Sequence, residues 1–306
     1  MISSASAPLV SILLPSYNHA RYITEAVMSV VEQTYKSIEL IVIDDGSTDG
    51  SAEILGNLSR AHGFRLEIQP NRGLIKTLER LHALATGEFI SFFSSDDVYE
   101  RTKLEKLVRF LTTNPEFAMV YSKIIQIDEH SREKQRIQES YKSGKIFREL
   151  LRGDFCINGL SALVRTEIVR KYRRFDTFID DLPLWLQIAR DHPIGFVDEF
   201  LAFYRVHSNH QTSNPDRMQK SEEEILERFR DSEFYPEAIN AWNIRWFNAL
   251  VERDRLAALR FFFTRVLGGA NLLNSRVHLG LSKLLLPRRL LQILKRSTHL
   301  RALLKG

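Results

Sequence analysis

Three pairs of adjacent aspartates are the residues of this chain best suited to chemistry: Asp44-Asp45, Asp96-Asp97 and Asp180-Asp181. Ionised carboxylates are hard oxygen ligands for Mg2+ or Mn2+, acceptors for N–H and O–H groups, and general bases. Two of the pairs close apolar runs. Residues 40–43 lead into Asp44-Asp45-Gly46-Ser47-Thr48, and residues 89–93 lead into Ser94-Ser95-Asp96-Asp97. Two acids at a strand end add little to packing and suit a ligand. The plainer reading of each pair is a solvated turn or helix cap.

These groups need elements to position them. Apolar runs at 9–14, 40–43 and 89–93, of which the second is continuous and the others are interrupted only by Ser11 and Ser91, read as parallel strands buried on both faces. The first breaks at Pro15-Ser16-Tyr17-Asn18. A helix is expected from about 19 to 33, with Ile23, Val27, Val30 and Val31 on one face and Asn18 as its N-cap. Ser47 or Thr48 is expected to cap the next helix. Further strands are read at 65–69, 119–127 and 200–206, and helices at 73–85 and 101–112. Residues 128–145 read as a loop. Right-handed crossovers make the strands parallel neighbours, so their polar ends share one rim. Open α/β sheets bind ligands at the carboxyl ends of their strands.

The segments VSILLPSYNHARYITEAVMSVVEQTY, ELIVIDDGSTDGS, NRGLIKTL, GEFISFFSSDD, FIDDLPLWLQIA and LAFYRVHS together resemble glycosyltransferase family 2, over about residues 8–210. The resemblance implies a GT-A fold: an α/β, Rossmann-like, mostly parallel sheet flanked by helices. It also implies inverting transfer of a sugar from a nucleoside diphosphate. Asp96 and Asp97 resemble the end of the family's DXD motif, with Ser94 in place of the first acid. They and His207 are the implied metal ligands, for Mn2+ or Mg2+. Neutral imidazole is a common ligand for divalent metals. Pro15, Tyr17, Asp44, Asp45, Arg72, Ser95 and Asp96 match positions around the nucleotide. Tyr17 can stack on the base, and an aspartate can accept the N3–H of uracil or thymine. Asp180-Asp181 resembles the family's Glu-Asp motif, with Asp180 replacing the glutamate. Asp181 is assigned as general base and Asp180 as its support, at a helix N-terminus where Pro183 is tolerated. Trp185 reads as core. Arg205 fits either a phosphate contact or a structural ion pair.

The implied function is transfer from a UDP- or dTDP-sugar to a glycan or lipid-linked hydroxyl, in surface polysaccharide or O-antigen synthesis. Two competitors are weighed. A sugar nucleotidyltransferase would want a glycine-rich phosphate loop after the first strand, where this chain has PSYNHAR. A catalytically silent nucleotide-sugar-binding or scaffold protein is kept open by Ser94.

Composition narrows the rest. The 306 residues are 44% apolar and 26% charged, as in an ordinary globular protein, and a lone Cys156 excludes an internal disulfide framework. The length allows a catalytic domain over 1–213 and a helical appendage over 214–306, with a boundary at 209–215. The appendage carries 17 Lys+Arg against 10 Asp+Glu, while residues 1–213 carry 26 against 28. The main domain therefore lacks the basic footprint of a nucleic-acid binder. Helices are read at about 217–231, 236–251, 253–267, 276–286 and 288–296. From Arg276 to Gly306 there are eight Lys+Arg and no acid among many leucines. That pattern suits a helix lying on an anionic membrane, and no run is long enough to span one. The expected location is cytoplasmic, peripheral at the inner face of the cell membrane. The competing reading packs the appendage on the catalytic domain or on a second copy in a homodimer.

Overall fold

The computed structural model describes residues 7–172, 176, 181–207, 215–268 and 274–286. Asp180, most of the expected boundary at 209–215 and the expected helix at 288–296 lie outside them. The chain divides into two compact units, one of residues 1–150 and 155–225, the other of 151–154 and 226–306.

The first unit follows the order β1 Val10–Ser16, α1 Ile23–Val31, β2 Ile38–Asp44, α2 Ser51–His62, β3 Arg65–Ile68, α3 Leu74–Leu84, β4 Phe89–Phe92, β5 Val98–Tyr99 and α4 Lys103–Thr113. It continues through β6 Met119–Ile127, β7 Glu133–Arg136, α5 Phe147–Arg152, a 3-10 turn at Gly159–Ser161, β8 Leu163–Arg165, α6 Thr166–Tyr172, α7 Leu182–Asp191, β9 Ile194–Arg205 and α8 Pro215–Glu227. The strands form one sheet in the order β3-β2-β1-β4-β8-β6-β9-β5, with β7 beside β6. The pairings make β1, β2, β3, β4, β6 and β9 run in one direction, with β5, β7 and β8 opposed. The mostly parallel sheet flanked by helices is the fold class expected from the alternating strand and helix pattern.

Burial explains the order of the elements. Val10, Ile12 and Leu14 of β1 pack with Ile23 and Val27 of α1, and Leu104 and Leu107 of α4 join the same core. Each fully buried aliphatic side chain contributes about 1.5–3 kcal/mol. At the amino end of the sheet, Glu39 latches three strands. Its carboxylate accepts the Ser11 hydroxyl, the Thr86 N–H at 2.6 Å, the Thr86 hydroxyl at 2.9 Å and the Gly87 N–H at 2.9 Å. Burial works to raise its pKa, and these bonds outweigh it and hold the carboxyl below its usual range.

The second unit contains α9 Tyr235–Arg253, α10 Arg255–Phe261, a π-helical turn at Phe262–Val266 and α11 Ser275–Leu285. Ile244, Phe247 and Val251 of α9 pack against Ala258, Phe262, Val266 and Val277. Asp254 caps α10, accepting from the Leu256 and Ala257 N–H groups at 3.0 and 3.1 Å. A Cβ at Gly280 would lie 2.4 Å from Phe247 Cε1, so only glycine lets α11 approach α9 this closely. The outer side of α10 and the π-helical turn is also apolar: Leu256 is 60% exposed and Phe263 64%, with Leu259 and Leu267 beside them. No helix of the described residues is long and apolar enough to cross a membrane.

Two expectations about caps are corrected. Asn18 does not cap α1, which begins at Ile23 rather than near 19. Asn18 sits in the left-handed region at φ 54° and its side-chain oxygen accepts the Thr48 N–H at 2.8 Å. Neither Ser47 nor Thr48 caps α2; Asp49 accepts the Ser51 N–H at 3.0 Å at the start of that helix. The expected loop at 128–145 contains β7, whose four residues are all exposed.

Candidate active site

Parallel strands bring their carboxyl ends to one rim. β1 ends at Ser16, β2 at Asp44, β4 at Phe92 and β9 at Arg205. Residues far apart in the chain therefore meet. His207, just past β9, places Nε2 2.9 Å from Oδ2 of Asp96, just past β4. The β1–α1 loop adds His19, whose Nδ1 lies 2.7 Å from the Ser95 hydroxyl. One ligand atom each from His19, Asp96 and His207 fall within 4.8 Å of one another. His19 and His207 meet edge to face with ring centroids 5.7 Å apart, and Tyr22 lies 5.4 Å from His207. Two imidazoles and one carboxylate from three segments are a donor set that fits a divalent metal.

Asp97 is placed differently. It is buried, and its Oδ1 accepts the Arg205 N–H at 2.8 Å. Burial and the neighbouring Asp96 charge push its carboxyl well above the usual range, against the lowering effect of Arg205. Among the described residues, then, Asp96 and His207 share the cluster with His19 while Asp97 braces the loop.

Arg205 resolves toward structure rather than phosphate. Its side chain is buried, and its Nε donates to the Asp96 carbonyl at 2.6 Å. Its terminal nitrogens donate to the Asp128 carbonyl at 3.0 Å, the Ser131 hydroxyl at 2.9 Å and Glu25 at 2.7 Å. The guanidinium also lies 4.8 Å from the Tyr22 ring centre. One side chain thus ties β9, α1, the β6–β7 turn and the Asp96 loop together.

The expected nucleotide residues cluster around β1 and β2. Tyr17 is 49% exposed at the end of β1, next to the half-buried Pro15. Asp45 is buried, and its carboxylate accepts Gln69 Nε2, the Arg72 N–H and the Gly73 N–H, each at 2.8 Å. It therefore shapes the 69–73 loop. A Cβ at Gly46, where φ is 77°, would lie 2.7 Å from Asn71 N, so glycine is required where that loop crosses. Gln69 and Arg72 line a groove of about 580 Å3 with Glu67, Lys76, Glu79 and Arg80. Asp44 is fully buried and holds the turn, accepting the Ser47 N–H at 2.9 Å and the Ser47 hydroxyl at 2.6 Å.

Asp181 precedes α7, with Pro183 in the first turn. Its Oδ2 accepts the Gly159 N–H at 3.1 Å. Trp185 is buried one turn later, donates to the Ile157 carbonyl at 3.1 Å and contacts Phe92 at the end of β4. The start of α7 therefore adjoins the rim end of β4, and Trp185 is core as read from its spacing.

His19 is not among the residues expected from the sequence, whereas the structural alternative for Arg205 is. His19 carried one usable signal, a polar residue just past the first strand on the same rim. The reading of 19 as the helix start obscured it.

Comparison with known proteins agrees with this geometry. The family model described as Glycosyl transferase family 2 matches residues 11–173. An uncharacterized glycosyltransferase of Rickettsia typhi is 32% identical over 236 residues, 74% of this chain and 72% of that protein. S. aureus TarS 1–349 in complex with UDP-GlcNAc superimposes with a TM-score of 0.64 at 17% identity, covering 90% of this chain and 88% of that one. The mannosyltransferase PcManGT from Pyrobaculum calidifontis, in complex with GDP-Man and Mn2+, gives a TM-score of 0.57 at 18% identity, covering 90% and 84%. At these identities the two structures establish a shared fold.

Proposed function

The chain belongs to glycosyl transferase family 2, and from that premise we propose that it is an inverting, metal-assisted transferase of a hexosyl or deoxyhexosyl group. The donor is a UDP- or dTDP-sugar, and the acceptor is a hydroxyl of a glycan or lipid-linked saccharide in surface polysaccharide or O-antigen synthesis. The observation that carries this reading is the meeting of Asp96 and His207, from separate strand ends, on the rim that also presents Tyr17 and the Asp45-held loop. The complexes of TarS with UDP-GlcNAc and of PcManGT with GDP-Man support a nucleoside-diphosphate sugar as donor, and the first agrees with UDP.

Each residue takes one task. Tyr17 offers an exposed ring for the base. Oδ2 of Asp45, which accepts the Gly73 N–H, has a second lone pair for a pyrimidine N3–H. Ser95 contributes a hydroxyl beside the ribose, and Arg72 lies at the groove's edge. Asp96 and His207 hold the cation, with Asp97 bracing their loop. When bound, a divalent cation supplies Lewis-acid neutralisation of the diphosphate leaving group. Asp181, which precedes α7, takes the acceptor hydroxyl proton. Asp180 assists it.

The second unit, taken by itself, carries features that suit a membrane surface. From Arg255 to Gly306 there are eleven Lys+Arg and no acid. Each basic residue near an anionic bilayer is worth about 1 kcal/mol. The exposed Leu256, Leu259, Phe263 and Leu267 supply an apolar face in the same acid-free stretch. Together they support a peripheral seat at the inner face of the cell membrane, within reach of a lipid-linked acceptor.

The test is a donor-panel hydrolysis assay on the full chain with UDP- and dTDP-sugars and Mn2+. Turnover with at least one donor, abolished in Asp96→Ala with the circular dichroism unchanged, is expected. Nucleotide binding without turnover on any donor would replace the enzyme with a silent binding protein.

A further inference from the structure

We infer that His19 is a third protein ligand to the rim cation, and that this ligand set selects a first-row transition metal over magnesium. The inference rests on the reading that Asp96 and His207 hold a cation. Three observations carry it.

The first is convergence. The ligand atoms of His19, Asp96 and His207 lie within 4.8 Å of one another, on three segments that the parallel sheet brings together. Two metal–ligand bonds of roughly 2.1 Å at a right angle separate the ligand atoms by roughly 3 Å. His207 Nε2 and Asp96 Oδ2 stand 2.9 Å apart, close to that spacing.

The second is preorganisation. The loop that carries His19 is stitched to the β2–α2 loop by four bonds. The Asn18 N–H donates to Ser47 Oγ at 2.9 Å and the His19 N–H to Ser51 Oγ at 3.0 Å. The Ala20 N–H donates to Asp49 Oδ2 at 2.9 Å, and Asn18 Oδ1 accepts the Thr48 N–H at 2.8 Å. Ser95 then fixes the ring through Nδ1 at 2.7 Å. A metal-ligating histidine commonly has its other ring nitrogen fixed in this way. Little conformational freedom remains to be lost when an ion arrives.

The third is donor chemistry. Magnesium keeps oxygen ligands and dehydrates reluctantly. Imidazole nitrogens favour transition metals, whose affinities rise from manganese to cobalt. Two histidines and one carboxylate form a three-ligand face that leaves open positions for diphosphate oxygens.

The experiment uses the full chain and the metal alone. Mn2+ is titrated and followed by electron paramagnetic resonance, with Mg2+ and Co2+ as competitors. Pulsed measurements count the imidazole nitrogens coupled to Mn2+. Two imidazoles are expected in the wild type, with Co2+ displacing Mn2+ and a tenfold excess of Mg2+ failing to. His19→Ala and His19→Asn should leave one imidazole and weaken Mn2+ binding by at least about tenfold, the scale on which even outer-shell partners act. Ser95→Ala removes the ring's anchor but not the ligand, and should keep both imidazoles. Two imidazoles and an unchanged Mn2+/Mg2+ ratio in the His19 variants would overturn the inference. If Asp96→Ala and His207→Ala abolish Mn2+ binding while the His19 variants do not alter it, only the third ligand is lost. If Asp96→Ala and His207→Ala also leave Mn2+ binding unchanged, the metal-site reading itself fails.

Discussion

The rim of the first unit and the outer face of the second unit's helices are built on opposite principles. At the rim, polar groups are buried and each is held by several partners: Asp45 by three donors, Arg205 by five acceptors. On α10, large apolar groups face outward with no acid from Arg255 onward. Buried polar groups are costly unless satisfied, so the rim's geometry is tightly specified. Exposed apolar groups on a basic helix need only a common face and tolerate variation in detail. The rim is suited to directional chemistry, and the helical face to a partner without fixed geometry.

Substitutions can break this contrast. The largest effect is expected at Asp181. Asp181→Asn should lower transfer by about 10²–10⁴-fold, the scale of a positioned base, while donor binding stays. Single-turnover assays with donor and acceptor check it, and a mild Asp181→Asn would move the base elsewhere. Arg205→Ala tests whether the rim depends on its bracing. Breaking a buried ion pair costs about 3–5 kcal/mol, and the half-exposed Glu25 puts the loss at about 3 kcal/mol. Urea unfolding measures it, and a loss below 0.5 kcal/mol would mean that the network carries little.

A smaller effect should separate the second unit. On the proposed membrane role, in which this face buries against lipid, Leu256→Glu/Phe263→Glu should reduce co-sedimentation with anionic vesicles by roughly tenfold while leaving the melting temperature unchanged. A drop in melting temperature with unchanged vesicle binding would assign this face to protein packing. The smallest effect is at the far end of the sheet. Glu39→Gln should cost about 1 kcal/mol at neutral pH, the scale of a hydrogen-bond contribution. Because the Glu39 carboxyl is depressed in the fold, its contribution is present above the unfolded value of about 4.3 and is lost as pH falls through the folded value. Wild-type stability should therefore fall more steeply than that of Glu39→Gln below about pH 4, as read by acid titration with circular dichroism.

Much of this architecture was legible in the amino-acid sequence. Apolar runs stopped by paired acids marked β2 and β4, and the rim followed from their being parallel. Trp185 was placed in the core by helical spacing alone. Other features depend on partners distant in the chain. Asn18, Ser47 and Thr48 have the short polar side chains of caps, and the same atoms bond across two loops some thirty residues apart. Local sequence does not distinguish those uses. β7 is short, exposed and polar, so it carries no alternation to read. His19 matters through its proximity to residues 77 and 188 positions away, which only the sheet order supplies.

Arg205 and His207 stand two residues apart at the end of β9, and both reach Asp96: one through its carbonyl, the other through its carboxylate. Both contacts fall on the one Asp96 loop, so the two-residue spacing keeps both groups on one side, as alternation does within a strand. The site therefore has a phase as well as a composition. Inserting one residue after Arg205 would leave the brace seated and turn the imidazole away; inserting two would restore its direction about one pleat too far along. This short stretch should be far less tolerant of length changes than of many substitutions, and chimeras with related chains should place their junctions elsewhere.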